Sequence, residues 1–367
     1  MNAKRQTSTT NLLRTAFLSA VCTASTGVAQ SPTDRVIVVT IDGMRWQEVF
    51  GGADRSLITG ADGGVADTAF TLRQYWRDDR SARQRAAMPF LNTVVAKQGI
   101  LLGDSAAGSM MRVANTQRFS YPGYNELFTG APDDARITSN DKVPNPNVTV
   151  LEWLAARPGF RRSIEAYASW DVFPFIFNTD RSKLPVNSSG PPFPAPLTAY
   201  QRDANQFSAW LPNHWAGVRL DASTMAAALD GLKTKQPRVL VILLGETDEW
   251  AHERRYDLYL DAARRTDRFI ELLWETAQRL PAYRGRTSLI VATDHGRGPG
   301  RDWTDHGVDI APANRIWMAV MGPGIRPNAD IRAQSGTQSQ FAATLASLVG
   351  ESWQSATPNA AAALRLR

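Results

Sequence analysis

Three stretches of this 367-residue chain are continuous apolar runs rich in β-branched residues: Val36-Ile37-Val38-Val39-Thr40-Ile41, Val239-Leu240-Val241-Ile242-Leu243-Leu244 and Ser288-Leu289-Ile290-Val291-Ala292-Thr293. A strand with one wet face alternates apolar with polar, and these do not, so each reads as a strand buried on both faces. Between and around them, residues 87–98, 222–233 and 250–279 repeat apolar positions every three or four residues, the period of a helix with one buried side. Strands alternating with helices predict an α/β fold, a mainly parallel sheet with helices on both faces. With 43% hydrophobic and 21% charged positions the chain can bury a core of that size, and its composition is neither disordered nor fibrous.

Two segments interrupt the pattern. Residues 141–215 are rich in Pro, Asn and aromatics, with Trp170, Phe173, Phe175, Phe177 and the run Pro191-Pro192-Phe193-Pro194. They are expected to form an insertion lying over the core as a cap for a site. Residues 53–85 read as a smaller excursion. At the N-terminus Lys4, Arg5 and Arg14 accompany an apolar run, Ala16 to Cys22, and then small residues up to Ala29. This is the pattern of a secretory signal cut after Ala29, with too short an apolar run to span a bilayer. The expectation is an exported protein, periplasmic or secreted, with residues 1–29 as signal and 30–367 as one α/β hydrolase domain. Loss of the signal removes three basic groups and takes the formal charge from +6 to +3, and no Lys/Arg cluster offers a footprint for nucleic acid. Cys22, the only cysteine, leaves with the signal, so disulfides, thiolate metal sites and a cysteine nucleophile are excluded.

Each buried run is followed at once by acidic or imidazole residues: Asp42 after the first, Glu246-Thr247-Asp248 after the second, Asp294-His295 after the third. In a parallel sheet those carboxyl ends share one edge, where open α/β folds bind ligands. Asp248 and His252 stand four apart at a helix start and can face one point, and His306 follows His295 by eleven residues. Any one of these residues could be an ordinary helix cap or a satisfied histidine. As a set they fit a divalent metal bound through nitrogen and oxygen, and six such ligands exceed the four one zinc needs, which points to two metals. Imidazole and carboxylate ligands in low coordination suit zinc best. His214, in Pro212-Asn213-His214-Trp215, is expected to be a surface or cap residue and no ligand.

The candidate nucleophile is Ser120, in Phe119-Ser120-Tyr121-Pro122-Gly123-Tyr124. Pro122 suits the first turn of a helix, which puts Ser120 at or just before its N-terminus, where the dipole and free N–H groups favour an alkoxide and a phosphate.

These residues, in this order, resemble the alkaline phosphatase superfamily, and within it the nucleotide pyrophosphatase/phosphodiesterase-like branch. Ile41-Asp42-Gly43 looks like the first metal-binding aspartate of that superfamily and Ser120-Tyr121-Pro122 like its nucleophile turn; Asp248-x-x-x-His252, Asp294-His295-Gly296 and His306-Gly307 resemble the remaining ligands. The resemblance implies one metal on Asp42, Ser120, Asp294 and His295, and another on Asp248, His252 and His306. It also implies an asparagine about twenty residues after the nucleophile that helps hold a phosphoryl oxygen. Asn140 fits that place, and Asn145 fits it after a small shift. The turn departs from the branch where Gly123 and Tyr124 follow Pro122 in place of Asn-His.

The implied activity is hydrolysis of a small-molecule phosphoric ester through a phosphoseryl intermediate on Ser120. A sulfatase on this fold would want an arginine where Tyr124 stands. An α/β-type serine hydrolase would want Gly-x-Ser-x-Gly, and Gly103-Asp104-Ser105-Ala106-Ala107 lacks the last glycine. The glycine-rich His295 to Gly300 segment has Pro299 where a nucleotide loop would open a helix. A binding protein that kept the fold and lost its activity would need neither the nucleophile nor every ligand. A monoester carries one more negative charge than a diester and wants an extra cation; a diester wants an apolar wall. Arg297, Arg301 and Lys183 are candidate cations and Trp170 and Phe173 candidate walls, with the balance leaning to the monoester.

Overall fold

The computed structural model describes residues 1–2, 33–327 and 334–366. The residues expected to form the signal lie almost wholly outside them. The chain divides into Met1–Gln30 and a compact unit, Ser31–Arg367.

Within that unit ten strands are described: β1 Arg35–Ile41, β2 Gly99–Leu102, β3 Met111–Arg112, β4 Ile164–Ala168, β5 Val186–Asn187, β6 Val239–Leu244, β7 Thr287–Ala292, β8 Arg315–Ile316, β9 Met318–Met321 and β10 Gly336–Thr337. Seven form one sheet in the order β2-β9-β7-β1-β6-β4-β5, and β10-β3-β8 form a small second sheet. The three apolar runs are its centre: β1 lies parallel to β6 on one side and to β7 on the other. β4 and β5 extend the parallel part, whereas β9 runs antiparallel to β7 and β2 to β9.

Both faces are covered, which is why these strands do not alternate in polarity. Val36 and Val38 point into a core shared with Leu127, Phe128, Phe341 and Leu345. Ile37, Val39 and Ile41 point into the opposite core, with Leu232, Leu260, Ile270 and Leu273. The helices Ser120–Thr129 and Gln340–Leu348 cover the first face, Asp221–Thr234 and Tyr256–Arg279 the second. The expected long helix over 250–279 is two, Glu246–His252 and Tyr256–Arg279, divided where Arg254 takes a left-handed φ of 56°.

Residues 141–215 are not an insertion over the core. Ile164–Ala168 pairs with β6 inside the main sheet, and the Val150–Ala155 helix buries Val150, Leu151 and Leu154 in the first core. Phe173 and Phe177, expected in a cap, belong to that core too, Phe177 packing edge-on against Phe128 at 4.9 Å. The Ala199–Phe207 helix lies on the outer side of Asp221–Thr234, where the Thr198 hydroxyl and Gln201 amide donate to Asp230.

One buried carboxylate ties the Ser120–Thr129 helix to its surroundings. Glu126 accepts from the Ala114 and Asn115 N–H groups, the Asn115 amide and the Ser339 hydroxyl. Burial pushes its carboxyl above the ordinary range while these donors oppose the shift. Replacing Glu126 by Ala would leave those donors unpaired in the interior, at a cost of about 3–5 kcal/mol. Urea unfolding should show a lower midpoint; an unchanged midpoint would mean that the network holds nothing.

Candidate active site

Strand register brings the site together. Ile41 stands opposite Leu244, and Thr40 opposite Ala292. The chain therefore carries Asp42, Gly245 and Asp294 out of the sheet at one level. From Gly245 the Glu246–His252 helix presents Asp248 and His252 one turn apart. The loop after β7 carries His295 and then, beyond the short Gly300–Thr304 helix, His306.

Two groups result: Asp42, Asp294 and His295, and Asp248, His252 and His306, with the ligand atoms of each within 4.8 Å of one another. In the first, His295 Nε2 lies 3.4 Å from Asp42 Oδ1 and 3.5 Å from Asp294 Oδ2. Ser120 Oγ lies 3.4 Å from the same nitrogen. In the second, His252 Nε2 is 3.1 Å from Asp248 Oδ2 and 3.0 Å from His306 Nε2. Asp248 also joins the groups, its Oδ1 lying 3.6 Å from His295 Nε2.

The donor set suits divalent cations. Asp42 Oδ1 and Asp294 Oδ2 are buried with no hydrogen-bond partner, a costly state for a carboxylate oxygen unless a cation meets it. The imidazoles are oriented from behind, as metal-ligating histidines are. His295 Nδ1 lies 3.0 Å from the Gly296 carbonyl, and His306 Nδ1 3.3 Å from the Arg118 carbonyl. Both rings thereby turn Nε2 toward the carboxylates.

Charge across these groups is unevenly distributed. Burial, and then the Asp248 charge, push Asp42 above the ordinary carboxyl range; burial and Asp42 do the same to Asp294. Burial also opposes the charge on Asp248, but Arg297, with His252 and His306, outweighs it and holds that carboxyl well below its usual value. For His295 burial is overcome by Asp294, Asp42 and Asp248, and the imidazole is pushed up to about 9. Burial and the neighbouring His295 hold His306 well below an ordinary histidine.

Ser120 is the first residue of its helix, after Phe119 in extended conformation. The free donors expected there are few. Tyr121 N–H is accepted by Asn140 Oδ1 at 2.9 Å, Pro122 has none, and Gly123 N–H bonds to Phe119 O. Of the first turn only the Ser120 N–H remains. Asn140 is exposed with its carbonyl end pinned beside Ser120, which leaves the amide end free to donate. Asn145 is buried, and its amide is spent on Asn125 and Ile176. The two residues that break the family turn have roles visible here. A Cβ on Gly123 would sit 2.5 Å from the Asp294 carbonyl oxygen, so only glycine lets this helix approach so closely. Tyr124 then donates to Asp42 Oδ2 at 3.1 Å.

The expected cations do not stand where a phosphoryl group would use them. Arg297 is fully buried and donates to Asp248 Oδ1 and to the Thr304 carbonyl. Lys183 precedes β5, at the edge of the sheet opposite the site, beside Phe160 and Ile164 in a cavity of about 780 Å³. Arg301 is almost fully exposed and faces Asp302 at 3.6 Å. Of the expected walls, Phe173 is core, packed against Tyr124 at 4.7 Å, and Trp170 is only partly buried. His214 lies outside both groups, 2.8 Å from Glu253. Sequence reading missed Tyr124, Glu126 and the Lys142–Asp171 pair at 2.7 Å. Tyr124 carried a signal as a departure from the family turn, and Lys142 one in standing two residues from Asn140.

A largely parallel sheet with a serine, three aspartates and three histidines gathered at one edge defines an ester-acting α/β enzyme with the residues of a metal site. Residues 133–359 match the profile of the type I phosphodiesterase/nucleotide pyrophosphatase family, and the chain belongs to that family, within the alkaline phosphatase superfamily. That match starts beyond Asp42 and Ser120, which rest on the geometry above. Similar solved structures include the lipoteichoic acid synthase LtaP of Listeria monocytogenes, 8% identical with TM-score 0.55 over 89% of this chain and 73% of that one. A second is a Vibrio parahaemolyticus protein of the alkaline phosphatase superfamily, 12% identical with TM-score 0.50, covering 88% and 68%. A third is an inactive murine ectonucleotide pyrophosphatase/phosphodiesterase 5 in complex with AMP, 12% identical with TM-score 0.50, covering 87% and 96%. At such identities they establish the fold. No curated protein matches the sequence.

Two outcomes follow from this geometry. A cation taken up by Asp42, Asp294 and His295 has to displace the proton on His295, so affinity should rise with pH, by about tenfold per unit for one proton released. The rise should level off near 9, the value His295 is pushed to. Chelator competition for Zn²⁺ across that range reads the slope, and a flat profile would contradict it. Gly123→Ala should push the Ser120 helix off Asp294, lower stability by about 1–3 kcal/mol and weaken metal binding; wild-type metal affinity would show that the close approach is not needed.

Proposed function

We propose that this protein hydrolyses phosphoric diesters in two displacements, with Ser120 as nucleophile and two divalent cations, zinc by preference, as cofactors. Asp42, Ser120, Asp294 and His295 would hold one, and Asp248, His252 and His306 the other. The observation that carries this reading is the position of Ser120 Oγ, 3.4 Å from His295 Nε2 and at the start of a helix. That makes one side chain at once a member of a ligand group and the residue facing an incoming phosphate.

When bound, the cations would lower the pKa of the Ser120 hydroxyl and stabilise charge on the phosphoryl, entering and leaving oxygens. Ser120 Oγ attacks phosphorus in line with the departing ester oxygen; the Oγ–P bond forms, the P–O bond to the leaving group breaks, and the alcohol takes a proton from solvent. The Asn140 amide and the Ser120 N–H are the chain's donors to the non-bridging oxygens. Water then attacks phosphorus of the seryl phosphodiester, which still carries the substrate's second ester group; the bond to Ser120 Oγ breaks, Ser120 regains a proton and the phosphate monoester departs.

The choice of diester departs from the sequence-based leaning. A monoester dianion calls for a further cation beside phosphorus, and Arg297, Arg301 and Lys183 are committed or elsewhere. The family's description and the partly exposed Trp170 near the strand ends support the diester. Tyr124, bonded to Asp42 where a sulfatase would want arginine, speaks against sulfate esters. Export is part of the reading: residues 1–29 act as a signal, and the mature protein should begin at Gln30, which its intact mass would reveal.

Ser120→Ala should lower turnover of a bis-aryl phosphate by several powers of ten, on the order of other lost nucleophiles, while metal content stays. Acid quenching of the wild-type enzyme should trap an aryl phosphoryl group on Ser120, and a chiral phosphorothioate diester should react with retention. Inversion, or near-normal turnover of the alanine variant, would remove Ser120 from this role.

A further inference from the structure

Residues 140–143 form a strap tied twice to Tyr121, the neighbour of the nucleophile. Asn140 Oδ1 accepts the Tyr121 N–H at 2.9 Å, and the Val143 carbonyl accepts the Tyr121 hydroxyl at 2.6 Å. Lys142 lies between these anchors. Its Nζ reaches the Asp171 carboxylate at 2.7 Å, so a pair spans from the strap to the turn that leaves β4. That turn is held as firmly as the strap. Asp171 donates its N–H to Gly217 O at 2.9 Å, and a Cβ on Gly217 would lie 2.8 Å from either carboxylate oxygen. Two residues on, Phe173 packs against Tyr124 of the nucleophile helix.

Lys142 is thus a cation tethered beside the start of the Ser120 helix whose charge is not spent on a metal-site carboxylate; the Arg118 guanidinium, two residues before Ser120, is turned to the Val308 carbonyl. The Lys142 charge is spent on Asp171. We propose that the Lys142–Asp171 ion pair selects ester class: by keeping this spot at zero net charge it denies a dianionic phosphoryl group the compensation a diester does not need. The inference rests on the diesterase reading above. It does not require a rigid bridge. An exposed pair is worth little by itself, and Lys142 is free enough to swing toward a phosphate. The Asp171 carboxylate would stay behind, and the sum of the two charges, felt by a second negative charge within a Debye length, remains zero.

Removing the carboxylate while keeping its shape therefore frees one positive charge. Asp171→Asn should raise the ratio of kcat/KM for an aryl monophosphate to that for the bis-aryl phosphate by about tenfold, the size of one partly screened charge interaction. Lys142→Met should move the ratio the other way, since the lone carboxylate then repels the dianion. The double variant should lose the gain. Metal content measured alongside shows that each variant keeps its site, and a merely structural role would lower both activities together without changing their ratio. Calorimetric binding of inorganic phosphate to the metal-loaded protein needs no turnover and should tighten in Asp171→Asn by a similar factor. Absence of diesterase activity in the wild type would overturn the functional reading alone, since phosphate binding still tests the pair. An unchanged ratio with unchanged phosphate affinity in Asp171→Asn, or a gain that persists without Lys142, would overturn the inference itself.

Discussion

The rest of this structure depends on three carboxylates placed at the end of a sheet buried on both faces. Asp42, Asp248 and Asp294 converge on one imidazole nitrogen, at 3.4, 3.6 and 3.5 Å. Burying even one unpaired carboxylate costs several kcal/mol. The chain relieves this only in part: Arg297 meets Asp248, the Gly43 N–H and Tyr124 hydroxyl meet Asp294 and Asp42, and one oxygen on each of the last two is left unpartnered. An arrangement that stops short of self-neutralisation is one that cations complete. The raised positions of Asp42 and Asp294 express the same deficit as proton affinity.

The cost is tolerable because the surroundings leave these groups little freedom. Arg118, held at a left-handed φ of 55°, turns its carbonyl toward His306 Nδ1 and also accepts the Gly307 N–H. Its own N–H is fixed by Asn115, which Glu126 grips in turn. On the far side the Gln338 amide donates to the Thr293 and Asp294 carbonyls. Strain at Arg118 and burial of Glu126 thus belong to one network joining the loop before Ser120, the loop carrying His306 and the end of β7. Preorganisation of this kind is what lets a ligand set accept a metal without paying again in conformational entropy.

The centre of this architecture was legible in the sequence because its signals are local. Unbroken apolar runs mark strands β1, β6 and β7, and the acidic residues within four positions of each run mark the edge, so the sequence alone puts Asp42, Asp248 and Asp294 there. What was misread lacks that redundancy. Ile164 to Ala168 is interrupted by Glu165, whose side chain pairs with Lys235 at the rim, and the strand was hidden among Pro- and Asn-rich neighbours that suggested a cap. The aromatics after it looked like the lining of a lid because aromatic content does not reveal which way a ring points. Arg297 looked like a substrate cation for a similar reason: its charge is visible in the sequence, but its engagement by Asp248 and Thr304 is a tertiary fact.

The departure from the family turn shows how one such tertiary fact propagates. Glycine at 123 lets the Ser120 helix lie against the Asp294 backbone, closer than any side chain would permit. At that distance the residue after it can reach the first metal-site aspartate, and a tyrosine does so. Burial, with Asp294 and Asp42 beside it, holds the Tyr124 phenol well above its ordinary value, so it remains a donor and not a competing anion. Its ring then needs an apolar partner, which Phe173 supplies edge-on, and Phe173 draws the turn after β4 down onto the helix. Trp170, 6.0 Å from Phe173, and Asp171, paired with Lys142, stand on that turn. Two residues beside Ser120 thereby tie its helix to Asp42 on one side and to the turn after a distant strand on the other.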